Sequence, residues 1–346
     1  MNILDTTIRD GSYAIDFKFS LKDVKSLVKK SNKIGIEYIE VGHGMGLNAS
    51  SAKYGEAMHS DEEYMYAAKE VAGDSKVGVF FNPNIASYAD IKKAKNCNID
   101  FIRMGVTVQE YGKAIPFISK CREEGMFVFA NFMKTYASAP EDFASASKAL
   151  YEEGAQCVYI VDSAGCMTEE DIGKYIDAAR NASDVMLGYH GHNNLGLAVS
   201  NSLYCVKRGM EFIDGSFQGL GRSIGNASIE QLVMALEKYG YKTGFDIPRV
   251  LEYGYSSLRT IVRDKLVNPL DYVCAYAGFH SGFIKDIYKC CNEKSVDPLR
   301  LIIAYCAEDK LTIDYDRLCE VAEKLPKDVE DNPYGFAEFF SEKYND

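Results

Sequence analysis

Short apolar and β-branched runs alternate with longer amphipathic segments through residues 1–243 of this 346-residue chain. A repeated strand–helix pattern is typical of a parallel sheet with helical crossovers. Eight such repeats predict a closed (β/α)8 TIM barrel rather than an open sheet. The predicted strands are Asn2–Asp5, Tyr38–Gly42, Lys76–Phe81, Asp100–Gly105, Phe127–Phe132, Cys157–Asp162, Val185–His190 and Phe212–Ser216.

The pattern changes after Tyr239-Gly240, where helical segments follow one another without strands. We therefore predict a barrel over residues 1–243 and a helical C-terminal region over residues 244–346. Within the barrel, helices are predicted over Leu21–Ile34 and over Pro140–Glu153, which begins with proline and two acids as helix N-termini prefer. The C-terminal helices are predicted over Pro248–Leu258, Tyr276–Lys294, Pro298–Ala307 and Asp314–Lys324.

Charge and composition narrow the class of protein. The formal net charge of −11 argues against nucleic acid or an anionic membrane as a partner, because both need a basic surface. No apolar run reaches the length of about 18 residues that a membrane span requires, and no signal peptide precedes the first strand. The ten cysteines contain no Cys-x-x-Cys pair, so neither a zinc ribbon nor a disulfide framework is predicted. We expect a soluble cytoplasmic protein, either monomeric or a homo-oligomer, that acts on small molecules.

A His-x-His pair follows the seventh predicted strand. Because residues i and i+2 of a strand point to the same side, His190 and His192 direct two imidazoles toward one point. Two imidazoles with carboxylate or water oxygens suit a divalent transition metal. Asp10, just after the first strand, supplies a carboxylate that a barrel would bring to the same end. These three residues predict a metal site, although two satisfied histidines and a helix-capping aspartate are the structural alternative.

Polar residues follow the other strands too, at the end where barrels of this kind carry their active sites. Arg9 precedes the predicted ligand Asp10 and would place a fixed positive charge near a developing oxyanion. A metal with open positions would chelate the carboxylate and ketone of a 2-oxo acid and stabilise an enolate. Such a site breaks or forms carbon–carbon bonds beside a carbonyl.

Four further candidates have two interpretations each. Asp162 and Ser163 are either substrate contacts or turn formers. His43 is either a substrate contact or a structural hydrogen-bonding residue. Asn226 lies between a glycine-rich loop and an apolar helix, so it is either a helix N-cap, or a metal ligand or a residue that orients one.

Several motifs of this sequence resemble those of the HMG-CoA-lyase-like superfamily of metal-dependent barrels. Two further segments, Leu47–Ser51 and Tyr276–Gly278, are similar to those of its 4-hydroxy-2-oxovalerate aldolases. The resemblance extends from the first strand to residues near 330. The superfamily motifs are Asp5–Ser12, Ile39–Gly44, Asp162–Gly165, His190–Gly196 and Gly219–Asn226.

The resemblance implies a class II pyruvate aldolase that cleaves a 4-hydroxy-2-oxo acid to pyruvate and an aldehyde, or runs the synthesis. It implies a divalent metal, usually manganese or magnesium. It also implies a partner, an acylating aldehyde dehydrogenase, which such enzymes often dock through their C-terminal helical region. The residues to which it assigns roles are the metal ligands Asp10, His190 and His192, the enolate-stabilising cation Arg9, and the pyruvate contacts Asp162 and Ser163.

The sequence departs from this subgroup at two positions. Typical members carry histidine, the proposed base for the substrate 4-hydroxyl, where this chain has Tyr13. They carry tyrosine where this chain has His280. We hypothesise that the two roles are exchanged, with His280 accepting the proton and Tyr13 relaying it or orienting the imidazole. Alternatively, the exchange marks a different aldehyde, a different reaction or a loss of activity.

Two other functions compete with the aldolase. The first is a Claisen-type enzyme that condenses an acyl-CoA with a 2-oxo acid; the Ser12-Tyr13 pair counts against it, because such synthases tend to carry glutamine there. The second is a non-catalytic barrel. The presence of Arg9 beside the three predicted metal ligands argues against that alternative.

Overall fold

The structure is a computed structural model that describes residues 1–262, 268–277, 279, 283–309 and 312–327. Eight parallel strands follow one another around a closed barrel, and the first pairs with the last, so the predicted (β/α)8 fold is confirmed. Four predicted strands differ from the observed ones: the second and eighth by one residue at the C-terminal end, and the fourth and seventh by a shift of one residue at both ends. The strands are β1 Asn2–Asp5, β2 Tyr38–Val41, β3 Lys76–Phe81, β4 Phe101–Val106, β5 Phe127–Phe132, β6 Cys157–Asp162, β7 Met186–Gly191 and β8 Phe212–Gly215.

Helices separate the strands, and their starts follow from local sequence. At the start of the first helix, the Ser20 hydroxyl accepts a hydrogen bond from the backbone amide of Asp23, and the Asp23 carboxylate accepts one from the backbone amide of Ser20. Ser60 and Glu63 form the same capping box at the second helix, which satisfies amide groups that have no partner inside a helix. The helices are α1 Leu21–Lys33, α2 Asp61–Val71, α3 Tyr88–Asn96, α4 Ile115–Glu123, α5 Pro140–Glu152, α6 Glu169–Ala182, α7 Ala198–Lys207 and α8 Ile229–Lys238.

The barrel interior is built in two layers that lie two residues apart on the same strands. The aromatic layer, nearer the strand N-termini, consists of Tyr38, Phe101, Phe129 and Phe212. Gly78 on β3 leaves room for it, because a Cβ there would lie 2.0 Å from the Phe101 ring. Two residues further along β2, β4, β5 and β8, side chains of the same face carry polar groups. This polar layer consists of Glu40, Arg103, Asn131 and Asp214.

The chain divides into two compact units, Met1–Leu232 and Val233–Asp346. The second unit is helical where it is described, whereas the boundary at residue 243 stays a prediction. The predicted helix Tyr276–Lys294 is wrong at its start, since Tyr276 belongs to an unpredicted helix and the next helix begins at Ile284. Over the described ranges, no helix is long and apolar enough to cross a membrane. The helices are α9 Ile247–Leu258, α10 Pro269–Ala277, α11 Ile284–Lys294, α12 Pro298–Glu308 and α13 Tyr315–Glu323.

Candidate metal centre and active site

The predicted metal ligands meet at the C-terminal end of the barrel strands. One potential ligand atom each from Asp10, His190 and His192 lies within 4.8 Å of the other two, and all three residues are buried. His190 belongs to β7, and His192 follows it, with its backbone forming an isolated bridge to Asn226. The fold therefore joins two segments that are far apart in the sequence, the one that holds Asp10 and the one that holds both histidines, at the end where the predicted barrel required them.

Asn226 places an amide group beside the three ligands. Its Nδ2 donates a hydrogen bond to Asp10 Oδ2 over 2.8 Å. Its Oδ1 is buried and accepts no hydrogen bond from any residue that the structure describes. A buried carbonyl oxygen without a donor is an available metal ligand. The alternative of a helix N-cap does not fit, because α8 begins three residues later and Ser228 accepts the hydrogen bond from Gln231 there.

Asp214 on β8 orients one of the imidazoles. Its Oδ2 lies 2.8 Å from Nδ1 of His190, which leaves Nε2 of that ring as the nitrogen for a metal. Asp214 was not among the site residues predicted from the sequence. The signal was present, since an acidic residue two positions after Phe212 on the same strand face is unusual in a barrel core.

Buried ion pairs connect this acid to the other side of the site. Arg103 contacts Asp214 Oδ2 over 2.6 Å, and its Nη1 donates to Glu40 Oε2 over 2.9 Å. Arg9 donates from Nε to the same Glu40 oxygen over 2.8 Å and from Nη1 to Asp10 Oδ1 over 2.7 Å. Acidic and basic side chains therefore alternate along a chain of contacts that leads from His190 to Asp10. This arrangement fixes the guanidinium of Arg9 beside Asp10.

The protonation states suit metal binding. Burial alone would raise the pKa of Asp10, but the charges of Arg9 and the nearby imidazoles hold it well below its usual range. Burial and the neighbouring His190 lower the pKa of His192 to about 4. At neutral pH the carboxylate is therefore ionised and His192 is neutral, the forms that bind a cation. Two imidazoles, a carboxylate and an amide oxygen fit a divalent metal such as manganese.

Tyr13 lies close to these charges. Its ring packs on Gly44, where a Cβ would lie only 2.4 Å from the tyrosine ring, and it meets Phe17 edge-on with centroids 5.1 Å apart. Burial raises the pKa of Tyr13, although the positive charges of Arg9 and Arg222 oppose this. The phenol is therefore protonated at neutral pH. His280, its predicted counterpart, lies outside the described residues, so the proposed exchange of roles stays a prediction.

His43 is held by backbone groups. Its Nδ1 accepts from the amide of Met45 over 3.0 Å, and its Nε2 donates to the carbonyl of Gly55 over 3.1 Å. The ring also stacks on Phe17 with centroids 4.0 Å apart. Both ring nitrogens are thus occupied, which favours the structural interpretation of this histidine; its role in substrate binding stays a prediction.

Asp162 and Ser163 also make structural contacts at the end of β6. The two carboxylate oxygens of Asp162 accept hydrogen bonds from the amides of Cys166 and Met167 over 3.0 and 2.9 Å. Ser163 Oγ accepts from the amide of Lys134 over 3.0 Å. These contacts match the turn-forming alternative, and contact with a substrate stays a prediction for both residues.

The fold and the site define a (β/α)8 barrel with a candidate metal centre at the C-terminal end of its strands. A family model described as HMGL-like matches residues 1–255. Oxaloacetate decarboxylase of Mycobacterium tuberculosis is 38% identical over 256 residues, which cover 74% of this chain and 76% of the relative. 4-Hydroxy-2-oxovalerate aldolase of Moorella thermoacetica is 33% identical over 326 residues, which cover 94% and 96%. The chain belongs to the HMGL-like family, and it is a carbon–carbon lyase.

The fold is also found in solved structures. HMG-CoA lyase of Brucella melitensis superposes with a TM-score of 0.66 at 19% identity, over 76% of this chain and 99% of that one. At this identity the likeness shows the shared barrel architecture.

Proposed function

We propose that the protein is a divalent-metal-dependent pyruvate aldolase, which cleaves a 4-hydroxy-2-oxo acid to pyruvate and an aldehyde or joins the two. One observation carries the proposal. The potential ligand atoms of Asp10, His190 and His192 lie close together in a buried site, and Arg9 is hydrogen-bonded to Asp10. Relatives named 4-hydroxy-2-oxovalerate aldolase, which match 94% of this chain, support the reaction.

The metal ligands in this proposal are Asp10, His190 and His192, with Asn226 Oδ1 as a fourth. A bound divalent cation would supply Lewis-acid polarisation of the 2-oxo group. Arg9 contributes a positive charge beside the position where that oxygen gains negative charge, and its two carboxylate contacts hold it there before the reaction begins. Preorganised charge of this kind lowers the barrier because no group has to reorient during bond cleavage.

Aldol cleavage also needs a base for the 4-hydroxyl proton. We assign this role to His280, with Tyr13 as relay or orienting group, as the exchange of residue types in the sequence suggests. The protonated phenol of Tyr13 next to Asp10 and Arg9 fits a donor or relay better than a base. If His280→Ala keeps most of the activity while Tyr13→Phe loses it, this assignment is wrong.

A second candidate is decarboxylation of a 2-oxo dicarboxylic acid such as oxaloacetate. It is favoured by Tyr13, because loss of carbon dioxide leaves no hydroxyl proton to remove. The bond between C3 and the leaving carboxylate breaks, its electron pair moves toward C2 and its oxygen, and C3 then takes a proton to give pyruvate. Arg9 would stabilise the same oxygen as in the aldol reaction. The relative named oxaloacetate decarboxylase supports this alternative.

Release of pyruvate tests both reactions. The substrates are 4-hydroxy-2-oxo acids of increasing chain length and oxaloacetate, each with manganese, magnesium or EDTA present. We expect metal-dependent release by the wild type and by Asp74→Asn, whose carboxylate is exposed on the surface, and loss with EDTA or in Asp10→Asn. The absence of pyruvate from every substrate, in protein shown to hold metal, would reject the proposal, and condensation of an acyl-CoA with a 2-oxo acid would be assayed next.

Two finer parts of the proposal come from the family resemblance, and a third, a cytoplasmic location, comes from the composition and cysteine pattern of the sequence. The two are manganese or magnesium as the bound ion, and an acylating aldehyde dehydrogenase as a partner on the C-terminal helical region. Elemental analysis of protein purified without added metal tests the first. Co-purification of a dehydrogenase activity tests the last, and the mass of the purified protein in solution distinguishes a monomer from a homo-oligomer.

A further inference from the structure

We propose that Arg222 is a specificity residue that binds a second anionic group of the substrate. The site would then prefer 2-oxo acids that carry a carboxylate at the end remote from the 2-oxo acid group. This inference rests on the proposed function, since it concerns the substrate of that same site. It applies equally to a decarboxylation and to aldol cleavage that releases a carboxylate-bearing aldehyde.

The backbone of Arg222 is attached to the metal site. Its amide lies 3.3 Å from Asp10 Oδ2, the oxygen that also accepts from Asn226. Its carbonyl accepts from the amide of Gly225 over 3.0 Å. The next residue, Ser223, accepts through Oγ from Asn194 Nδ2 over 3.0 Å. The loop is thus tied both to a predicted metal ligand and to the segment after β7, so the position of Arg222 is defined relative to the site.

The guanidinium of Arg222 stacks on Tyr13, with its central carbon 5.4 Å from the ring centroid. Stacking on an aromatic face restricts the side chain and reduces the entropy that is lost when it binds a ligand. The residue is exposed, and among the residues that the structure describes its guanidinium forms no ion pair with a carboxylate, since Asp10 contacts only its backbone amide. Arg9 and Arg103, in contrast, are both buried and paired with acids. Arg222 is therefore a positioned cation whose donors are available to a ligand.

Two ligands that do not react allow binding of the remote anionic group to be measured separately from catalysis. Malate and 2-hydroxybutyrate share a 2-hydroxy acid group that chelates a metal, and they have equal chain lengths, but malate ends in a carboxylate and 2-hydroxybutyrate in a methyl group. Calorimetric titration of the manganese-loaded protein measures both dissociation constants. We expect the wild type to bind malate at least about tenfold more tightly, as a charge-assisted hydrogen bond provides.

Three variants locate the effect. Arg222→Gln is expected to bring the ratio of the two dissociation constants close to one, and Arg222→Lys to keep part of the preference because it keeps the charge. Lys148→Gln is the matched control, since it removes one positive charge from the exposed surface of α5, and it should keep the preference. If a variant does not fold, the wild type itself provides the test, because a preference based on Arg222 must weaken as salt is raised.

Equal binding of the two ligands by the wild type would overturn the inference, and so would a preference for malate that survives in Arg222→Gln. Neither result would affect the proposed function, which depends on pyruvate release. Conversely, an intact malate preference in a protein that releases no pyruvate would reject the proposed function and leave the anion site standing.

Discussion

The aromatic layer and the polar layer of the barrel lie two residues apart on the same strands, yet burial has opposite effects on the free energy of the two sets of side chains. Burial of the aromatic side chains is favourable in itself, and each ring contributes about 1.5–3 kcal/mol. Burial of charges is unfavourable unless every group is paired. The aromatic layer therefore tolerates change locally, whereas the polar layer is stable only as a complete set. The pairs that show this are Tyr38 and Glu40, Phe101 and Arg103, Phe129 and Asn131, and Phe212 and Asp214.

Arg103 is the centre of the polar layer. It is fully buried, it contacts both Glu40 and Asp214, and its guanidinium lies 4.4 Å from the centroid of the Tyr159 ring. The charges of Asp214 and Glu40 overcome the effect of burial and raise its pKa, so the group stays charged. Because each carboxylate also contacts the site, through His190 and Arg9 respectively, this one cation connects stability with function.

The largest effect is therefore expected for Arg103→Met. Removal of the shared cation leaves two buried carboxylates under-compensated, which costs about 3–5 kcal/mol of the free energy of unfolding. Pyruvate release should fall at least about 100-fold, because Arg9 and His190 lose their fixed positions. Denaturant unfolding and the pyruvate assay measure the two losses.

A triple variant makes this prediction sharper. Glu40→Leu, Arg103→Met and Asp214→Leu together turn the polar layer into a second apolar layer. We expect it to regain much of the stability, because no unpaired charge remains, while activity stays lost. If Arg103→Met alone unfolds like the wild type, the polar layer is not a coupled unit and the comparison of the two layers fails.

The sequence predicted the barrel and the metal ligands because both depend on local patterns. Strand–helix alternation locates the eight strands, and once the barrel is accepted, the ends of β1 and β7 must meet, which brings Asp10 to His190. The pairing of Arg103 with Asp214 could not be predicted in the same way. It depends on which inward-facing side chains reach one another across the barrel, and strand order alone leaves that open.

Two other results show the limits of local patterns. Helix α10 was missed, and its last residues were assigned to the next helix, because apolar periodicity does not show where one short helix ends and another begins. Asp162 was correctly placed at the end of β6, but only the structure shows that both its oxygens accept backbone hydrogen bonds. From the sequence alone, an aspartate that forms a turn cannot be distinguished from one that binds a substrate.

Asp214→Asn is expected to have the next largest effect, because it weakens the pairing of Arg103 as well as the orientation of His190. The amide keeps the shape of the side chain but gives Nδ1 of His190 a weaker partner, so the imidazole is less well oriented and less basic toward a metal. Asp214 is thus a positioning residue. Metal affinity, measured by calorimetry, should fall about 10–100-fold. Asp177→Asn, on the exposed surface of α6, is the control, and equal metal affinity in both variants would contradict the prediction.

A smaller effect, on the pH dependence of stability, is expected for substitution of Glu230, a buried acid that does not belong to the polar layer. Burial raises its pKa to about 7, although hydrogen bonds from Ser228 and Gln218 oppose the shift. A folded-state pKa above the unfolded value means that the folded protein holds the proton more tightly. The resulting stability is fully present below pH 4.5, the ordinary value, and is lost as the pH rises through about 7.

We therefore expect the wild type to lose about 2 kcal/mol of unfolding free energy between pH 5 and pH 8 through this group alone. Glu230→Gln cannot ionise, so its stability should fall less over the same range. Unfolding curves at several pH values for both proteins measure the difference. Parallel pH dependences would show that Glu230 remains ionised in the folded protein.

The smallest effect is expected in the aromatic layer, for Phe129→Leu. The ring of Phe129 packs edge-on against Tyr38, Phe101 and Phe212, with centroids 5.0–6.2 Å apart. Leucine keeps most of the apolar area, so the loss should be about 1.5 kcal/mol, well below the roughly 3–5 kcal/mol of a full truncation to alanine. Metal affinity and the turnover rate should match those of the wild type, because Phe129 bears no charge and contacts none of the predicted ligands. A drop in metal affinity comparable to that of Asp214→Asn would mean that the two layers are mechanically coupled, and the separation of stability from function along each strand would be wrong.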